Sequence, residues 1–258
     1  NQTNLGVVLG DSRLPVLAYA DDLALAATTD DELQSLIDIT TDSLGKVGLT
    51  LNRSKSVVMG CQDPIVVDGT TLANVTCIKY LGVMINADGD TRPRPDLFDP
   101  LLEKLLKAKL KPLQKLYLLR THLIPTYVHR LIHEDFTGTS LEAMDKRIRA
   151  AAKAFLFQVS GIPNPCIHLK VKHGGLGIPQ LRWFIPNLAF KRMRRLTTSK
   201  CSHMKFLSTT QEFTQEMTRI SILAPDKLDY DLRQLRDIST NPSNRGFLCF
   251  SVGGHIVN

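Results

Sequence analysis

The stretch Leu14-Pro15-Val16-Leu17-Ala18-Tyr19-Ala20-Asp21-Asp22-Leu23-Ala24-Leu25-Ala26-Ala27 constrains the fold more than any other part of the chain. Two apolar runs of strand length flank an adjacent pair of carboxylates, which predicts a β-hairpin whose tight turn carries Asp21 and Asp22 out of the sheet. Neighbouring carboxylates repel and cost stability unless a cation is shared between them, and their hard oxygen donors suit Mg²⁺. A solvated turn explains the same dipeptide, because aspartate is a common turn residue. The dipeptide alone does not separate these readings.

Charge becomes informative when divided along the 258 residues. Residues 1–100 hold 7 basic and 14 acidic side chains, residues 101–200 hold 19 and 5, and residues 201–258 hold 6 and 6. The excess positive charge lies in the middle third, beside an acidic first third that carries the candidate metal ligands, so one part suits a metal and the other a polyanion. No run of about 18 apolar residues suggests a membrane span. The opening Asn1-Gln2-Thr3-Asn4 has neither an initiator methionine nor the order of a signal peptide, which reads as the start of a fragment. Cys61, Cys77, Cys166, Cys201 and Cys249 show no C-x-x-C spacing, so neither a zinc site nor a disulfide framework is indicated and a reducing, intracellular compartment fits.

After the hairpin, Thr28-Thr29-Asp30 offers N-cap side chains, and Asp31 and Glu32 suit a first helical turn. Leu33, Leu36, Ile37, Leu44 and Val47 recur at helical spacing, with Gly45 and Gly48 as the stop, predicting a helix from about Asp30 to Val47 packed on an antiparallel sheet. Asp68-Gly69 between short β-prone runs marks a second hairpin, and Thr76 to Ile85 reads as an extended pair bent at Gly82. Lys55, before a strand, is in isolation a solvated charge.

Taken in order, Tyr19-Ala20-Asp21-Asp22, the helix, Gly48-Leu49-Thr50-Leu51-Asn52 with Lys55 beyond it, and Tyr80-Leu81-Gly82 resemble successive palm motifs of a reverse transcriptase from a non-LTR (LINE-type) retrotransposon. Group II intron maturases share Tyr-Ala-Asp-Asp but fit Tyr80-Leu81-Gly82 less well. The resemblance implies that Asp21 and Asp22 hold catalytic Mg²⁺, that Tyr19 lies near the primer end, and that Lys55 acts on the leaving pyrophosphate. Tyr80, Leu81 and Gly82 would form the primer grip. An RNA template, a DNA primer and deoxynucleoside triphosphates are the implied partners, with action in the nucleus.

Residues 97–134 read as helices. Leu101, Leu102, Leu105, Leu106, Leu110 and Leu113 make one apolar face, with Lys104, Lys107, Lys111 and Lys115 along its flank; Pro112 and Pro125 should kink or divide the run. A membrane-surface helix is the rival reading, but several leucine-rich helices in succession argue for a packed bundle. By the resemblance these helices are the thumb, and their lysines would meet duplex phosphates. Further basic residues follow: Lys146, Arg147, Arg149 and Lys153 on a helix from Ser140 to about Gln158, then Lys191, Arg192, Arg194 and Arg195. Gly174-Gly175-Leu176-Gly177 reads as a structural turn, a segment also typical of LINE-type polymerases, and His168 and His173 lack partners at metal-ligand spacing.

The expectation is thus an α+β chain. A partial polymerase palm, an antiparallel sheet with a packed helix, occupies residues 1–90; a linker covers 91–96, a helical thumb-like basic domain 97–160, and a helical and irregular region 161–258. A palm needs a third carboxylate and fingers. None is legible before Asp21, so the isolated chain is expected to be inactive, and a non-enzymatic nucleic-acid-binding remnant is the competing reading.

Overall fold

The computed structural model describes residues 5–89, 95–157, 162–224, 250–252 and 255–257. The predicted linker lies largely outside these residues, as do Gln158 and Asn241 to Gly246. The fold is α+β. The chain divides into two units, Asn1–Thr91 with Arg195–Thr214, and Arg92–Arg194 with Gln215–Asn258.

The first unit begins with the antiparallel ribbon of β1 (Val7–Leu9) and β2 (Ser12–Leu14). Pro15 ends that ladder, since it has no N–H to donate, and the next ribbon pairs β3 (Val16–Tyr19) with β4 (Asp22–Leu25). Helix α1 (Asp30–Lys46) follows, its Thr29 cap accepting the Glu32 N–H. Leu36 and Ile37 of α1 are buried, whereas Val47 lies past the helix end, 70% exposed, and is not part of the apolar stripe. Then come β5 (Val57–Val58), β6 (Val66–Val67), β7 (Thr70–Thr71), β8 (Ala73–Asn74), β9 (Cys77–Tyr80) and β10 (Val83–Asn86). The pairings β6–β7 and β9–β10 are antiparallel and β5–β8 is parallel. The expected sheet is realised as separate two-stranded ribbons, each strand two to four residues long.

The core of this unit is Ile37, Val58, Cys61, Ile65, Val67 and Leu72, with Leu25, Leu33 and Leu51 packed against it. Leu25 thereby ties the β3–β4 ribbon to α1. Short strands leave edges that need partners, and α1 supplies one: the Gln34 carboxamide accepts the Val66 N–H and donates to the Val66 carbonyl, both at 2.8 Å. Helix α1 thus docks on β6 as another strand would.

The second unit is helical. Helix α2 (Asp99–Lys107) stops at Ala108, and α3 (Pro112–Leu118) begins anew. Pro112 forces Lys111 into an extended conformation (ψ 150°), and the run is divided as its proline predicts, so the four lysines expected along one helix flank are shared between two helices. Leu102 and Leu105 are buried, but Leu106 at the end of α2 and, beyond the break, Leu110 and Leu113 are exposed, so the leucines do not make one common face. A π-helical turn, Leu119–Leu123, joins α3 to α4 (Ile124–Leu131). Pro125 lacks the N–H that would bond four residues back, and the Ile124 N–H reaches five residues back to Leu119 instead.

Helix α5 (Gly138–Phe155) starts two residues earlier than predicted, where the Thr137 hydroxyl accepts the Ser140 N–H and the Ser140 hydroxyl accepts the Thr137 N–H. Its Leu141, Met144, Ile148, Ala152 and Phe155 form a continuous buried stripe. Next are α6 (Asn164–His168), a 3₁₀ turn at Val171–His173, and α7 (Leu181–Thr197). The glycine segment between them is the structural turn expected: a Cβ on Gly175 would stand 2.2 Å from the Leu169 carbonyl oxygen. Helices α8 (Ser202–Thr209) and α9 (Gln211–Leu223), and the ribbon of β11 (Phe250–Val252) with β12 (His255–Val257), complete the chain.

Candidate active site

The β3–β4 ribbon closes on itself in two residues. Tyr19 pairs with Asp22, and Ala20 and Asp21 make the turn. Asp21 therefore stands at the tip, while Asp22 is the first residue of β4, a position the sequence reading had assigned to the turn. Ala20 has φ 54°, the left-handed conformation that a tight hairpin turn demands and that a Cβ disfavours. Asp21 and Asp22 are exposed, and Tyr19 is 65% exposed. The ladder extends to an Ala26 N–H donating to the Pro15 carbonyl (3.0 Å), so the tip is carried by paired backbone rather than by buried side chains.

Tyr80, Leu81 and Gly82 make a second tip of the same kind. Tyr80 pairs with Val83, and Leu81 (φ 47°) and Gly82 (φ 86°) both adopt the left-handed conformation of a type I′ turn. Only glycine adopts that angle without cost, so the strain rests on Leu81, whose side chain is exposed. Among the described residues the other non-glycine residues with positive φ are Asp68 and Phe157. Two of the four thus fall in the two segments that the motif order singled out. Strained backbone is retained where the surrounding structure over-determines it, and it clusters at working sites.

Lys55 ends a turn in which its own N–H donates to the Asn52 carbonyl (3.0 Å), and the Ser54 hydroxyl donates to Asn52 Oδ1 (2.8 Å). An open hollow lined by Arg53, Ser54, Ser56, Thr70 and Thr71 lies against this turn.

The support for the first tip comes from carboxylates at the start of α1. Glu32 accepts the Gly6 N–H (3.0 Å), the Thr28 N–H (2.9 Å) and the Thr28 hydroxyl (2.7 Å), and pairs with Arg13 at 3.3 Å. Those bonds, led by the one from the Thr28 backbone, hold its pKa below the usual carboxylate range. Asp30 accepts the N–H groups of Gln62 and Asp63, both at 2.8 Å, and the Asp63 bond leads in lowering its pKa. The sequence marks Asp30 as an N-cap side chain and Glu32 as a first-turn residue favoured by the helix dipole, and neither reading includes these partners. A Thr-x-x-Glu spacing was the signal available, and it does not reveal partners 26 or more residues away.

The four candidate lysines do not share one helix flank. Lys104 and Lys107 sit in the last turn of α2, Lys111 caps α3 from outside, and Lys115 is on α3. Lys107 approaches Glu103 at 3.9 Å with both side chains largely solvated, a pairing worth little. Lys115 turns back: its Nζ donates to the Leu106 carbonyl (2.6 Å) near the negative end of the α2 dipole and lies 5.8 Å from the Phe155 ring. It braces two helices.

Among the described residues no group of three histidine, cysteine, aspartate or glutamate side chains surrounds a metal position, and no helix is long and apolar enough to cross a membrane. Cys61, Cys77, Cys166 and Cys201 are free thiols. His168 is buried, its Nδ1 3.0 Å from the Ile178 carbonyl, and burial pushes its pKa down to about 4, the behaviour of a structural histidine.

Residues 3–85 match the family described as reverse transcriptase (RNA-dependent DNA polymerase), and this interval contains both strained tips and Lys55. The chain is 35% identical over 241 residues to the retrovirus-related Pol polyprotein of the type-2 retrotransposable element R2DM of Drosophila melanogaster, covering 86% of this chain and 22% of that protein. Pol polyproteins of type-1 R2 elements are also similar. One from Popillia japonica is 30% identical over 209 residues (76% of this chain, 29% of the relative) and one from Bradysia coprophila 32% over 203 (72% and 23%). The chain thus spans less than a third of each of these relatives. It carries a reverse transcriptase segment homologous to the Pol polyproteins of R2 non-LTR retrotransposons.

Proposed function

We propose that this chain supplies the metal-bearing half of the palm (residues 1–90) and, after a linker at 91–96, a thumb-like segment (97–160) of an RNA-directed DNA polymerase that acts in the nucleus. The observation that carries this reading is the Tyr19–Asp22 tip, where a two-residue turn through a left-handed Ala20 holds two exposed carboxylates side by side. Two hard, charged oxygen donors on a backbone fixed by its ladder fit a divalent cation, and Asp21 and Asp22 would hold Mg²⁺. Bound there, the metal supplies Lewis-acid stabilisation of the charge that develops during nucleotidyl transfer.

The remaining tasks belong to the protein's own groups. Tyr19, directly opposite Asp22 in the ladder, lies beside the primer end. The β9–β10 tip of Tyr80, Leu81 and Gly82 holds the primer strand in register, its strained turn fixing the backbone before the primer arrives. Lys55 gives a proton to the leaving pyrophosphate. Lys104, Lys107 and Lys111 contact phosphates of the RNA template and DNA primer duplex, and Lys115 keeps α2 and α3 together. Deoxynucleoside triphosphates are the substrates.

The test is primer extension on an RNA template by a single chain joining this protein to the upstream reverse transcriptase region of an R2 relative. Asp21→Asn is expected to abolish synthesis, since the amide keeps the shape but loses the charge. Lys55→Ala is expected to slow the chemical step at least about tenfold with primer–template affinity nearly unchanged, in keeping with general acid catalysis. Full activity in Asp21→Asn would overturn the assignment.

A further inference from the structure

Between Asp145 and Glu212 the chain runs 66 residues without an aspartate or glutamate, while 13 lysines and arginines fall in the same interval. A solvated helix ordinarily mixes both signs and pairs them four residues apart. Helix α7 instead places like charges at that spacing, Lys191 and Arg195, with Arg194 beside them.

The inner face of α7 fixes which side chains point outward. Leu181, Ile185, Ala189 and Met193 recur every fourth residue and are buried. Lys191 and Arg195 stand two residues either side of Met193, about 200° around the helix from it, and are exposed, as is Arg194. The helix is also held at its start, where the buried Asp145 carboxylate of α5 accepts the N–H groups of Leu181 (2.8 Å) and Arg182 (2.9 Å). Arg192, on the flank, is used by the fold: it donates to the Ile132 carbonyl and meets His133 Nδ1, both at 2.9 Å. Among the described residues no carboxylate pairs with Lys191 or Arg195.

We propose that the outward face of α7, through Lys191, Arg194 and Arg195, is a second nucleic-acid surface that grips the phosphate backbone of a duplex. It goes beyond the primer–template reading, because it uses residues that reading does not. A lipid surface fits less well. A membrane-lying helix needs large apolar side chains beside its cations, and among the described residues none is exposed between Val171 and Phe206. With no exposed phenylalanine, tyrosine or tryptophan among the described residues of that interval, and the exposed His173 lying outside α7, the face suits a duplex and is tolerant of sequence.

The experiment is fluorescence anisotropy of the 258-residue chain with a labelled duplex of arbitrary sequence across a salt series, comparing wild type, K191Q/R194Q/R195Q, and K104Q/K107Q/K111Q. The α7 variant is expected to lower the slope of log affinity against log salt by up to about 2.7, at about 0.9 for each phosphate it no longer neutralises. Equal weakening on a shuffled duplex and additive weakening when the two variants are combined are expected as well, with unchanged melting by circular dichroism. Unaltered affinity and slope in the α7 variant would overturn the proposal, as would tighter binding of wild type to phosphatidylserine vesicles than to the duplex. Neither result touches the catalytic reading, which stands or falls with Asp21→Asn in primer extension.

Discussion

The unit holding the candidate active site and the helical unit secure their residues by different means. In β3 every side chain is exposed, and Asp21, Tyr19 and Leu81 project from ribbons whose order comes from ladder bonds, left-handed turn residues and carboxylate-to-backbone ties. In the helical unit, α5 alone presents Leu141, Met144, Ile148 and Ala152 with no exposed surface at all. The first arrangement leaves polar tips free to meet ligands. The second fills volume, with Phe98 set edge-on to Tyr127 at 4.9 Å. Substitutions should therefore divide by region: volume should matter in one and stereochemistry in the other.

The largest contrast is expected between Phe155→Ala and Leu17→Ala. The first empties a site that is 2% exposed and should cost about 3–5 kcal/mol by urea denaturation. The second, on an exposed strand, should stay within about 0.5 kcal/mol. Comparable losses would erase the distinction. Next in size is Asp145→Ala, which strips two N–H groups at the start of α7 of their acceptor and should cost about 1–3 kcal/mol. Among the described residues the corresponding polar ties of the first unit are exposed or only part-buried.

The pH response sharpens the same comparison with smaller effects. Burial raises Asp145 to about 7, so it binds more protons folded than unfolded and its contribution falls as pH rises from about 4 to 7. Burial lowers His168 to about 4, so its contribution rises from about 4 to 6.5. Asp145→Asn should therefore steepen the rise of stability with pH over that window, and His168→Gln should flatten it. Each change is at most about 1.4 kcal/mol per pH unit, the limit for one proton. Asp30 and Glu32, both lowered, stabilise the first unit above the ordinary carboxylate range and lose that contribution as pH falls through it. Stability curves of the two variants that superimpose on wild type would contradict these assignments. Smallest is Ala20→Gly, which relieves the left-handed turn and should stabilise the ribbon by about 0.5–1 kcal/mol. A loss of stability there would mean the turn is not strained.

What could be read from the sequence follows the same division. Thr29 as a cap and the Asp68-Gly69 and Leu81-Gly82 turns are written in two to four adjacent residues and lie where the local chemistry predicts, whereas the first tip is shifted by one residue, with Ala20 and Asp21 in the turn and Asp22 opening β4. The contacts that place them are not local. Gln34 on Val66, Glu32 on Gly6 and Asp30 on Gln62 join residues 26 or more apart, through side chain–backbone bonds that leave no periodic trace. The lysine series failed as a single face for a different reason. Leucine periodicity ran smoothly across Pro112, but α2 ends at an extended Ala108 and α3 begins anew at Pro112, with Lys115 turned back to the Leu106 carbonyl. Asp145 as the anchor of α7 was equally hidden, since a lone aspartate in a helical pattern looks solvated until its burial is seen.

The central claim is that Asp21 and Asp22 ligate the catalytic metal, and a metal swap in the joined chain tests it most directly. With Asp22→Cys, a softer donor replaces a hard oxygen. Primer extension on an RNA template should vanish in Mg²⁺ and return in part in Mn²⁺, while primer–template affinity stays within about twofold, because the phosphate contacts lie elsewhere. Wild-type extension by Asp22→Cys in Mg²⁺ would show that this tip does not hold the metal.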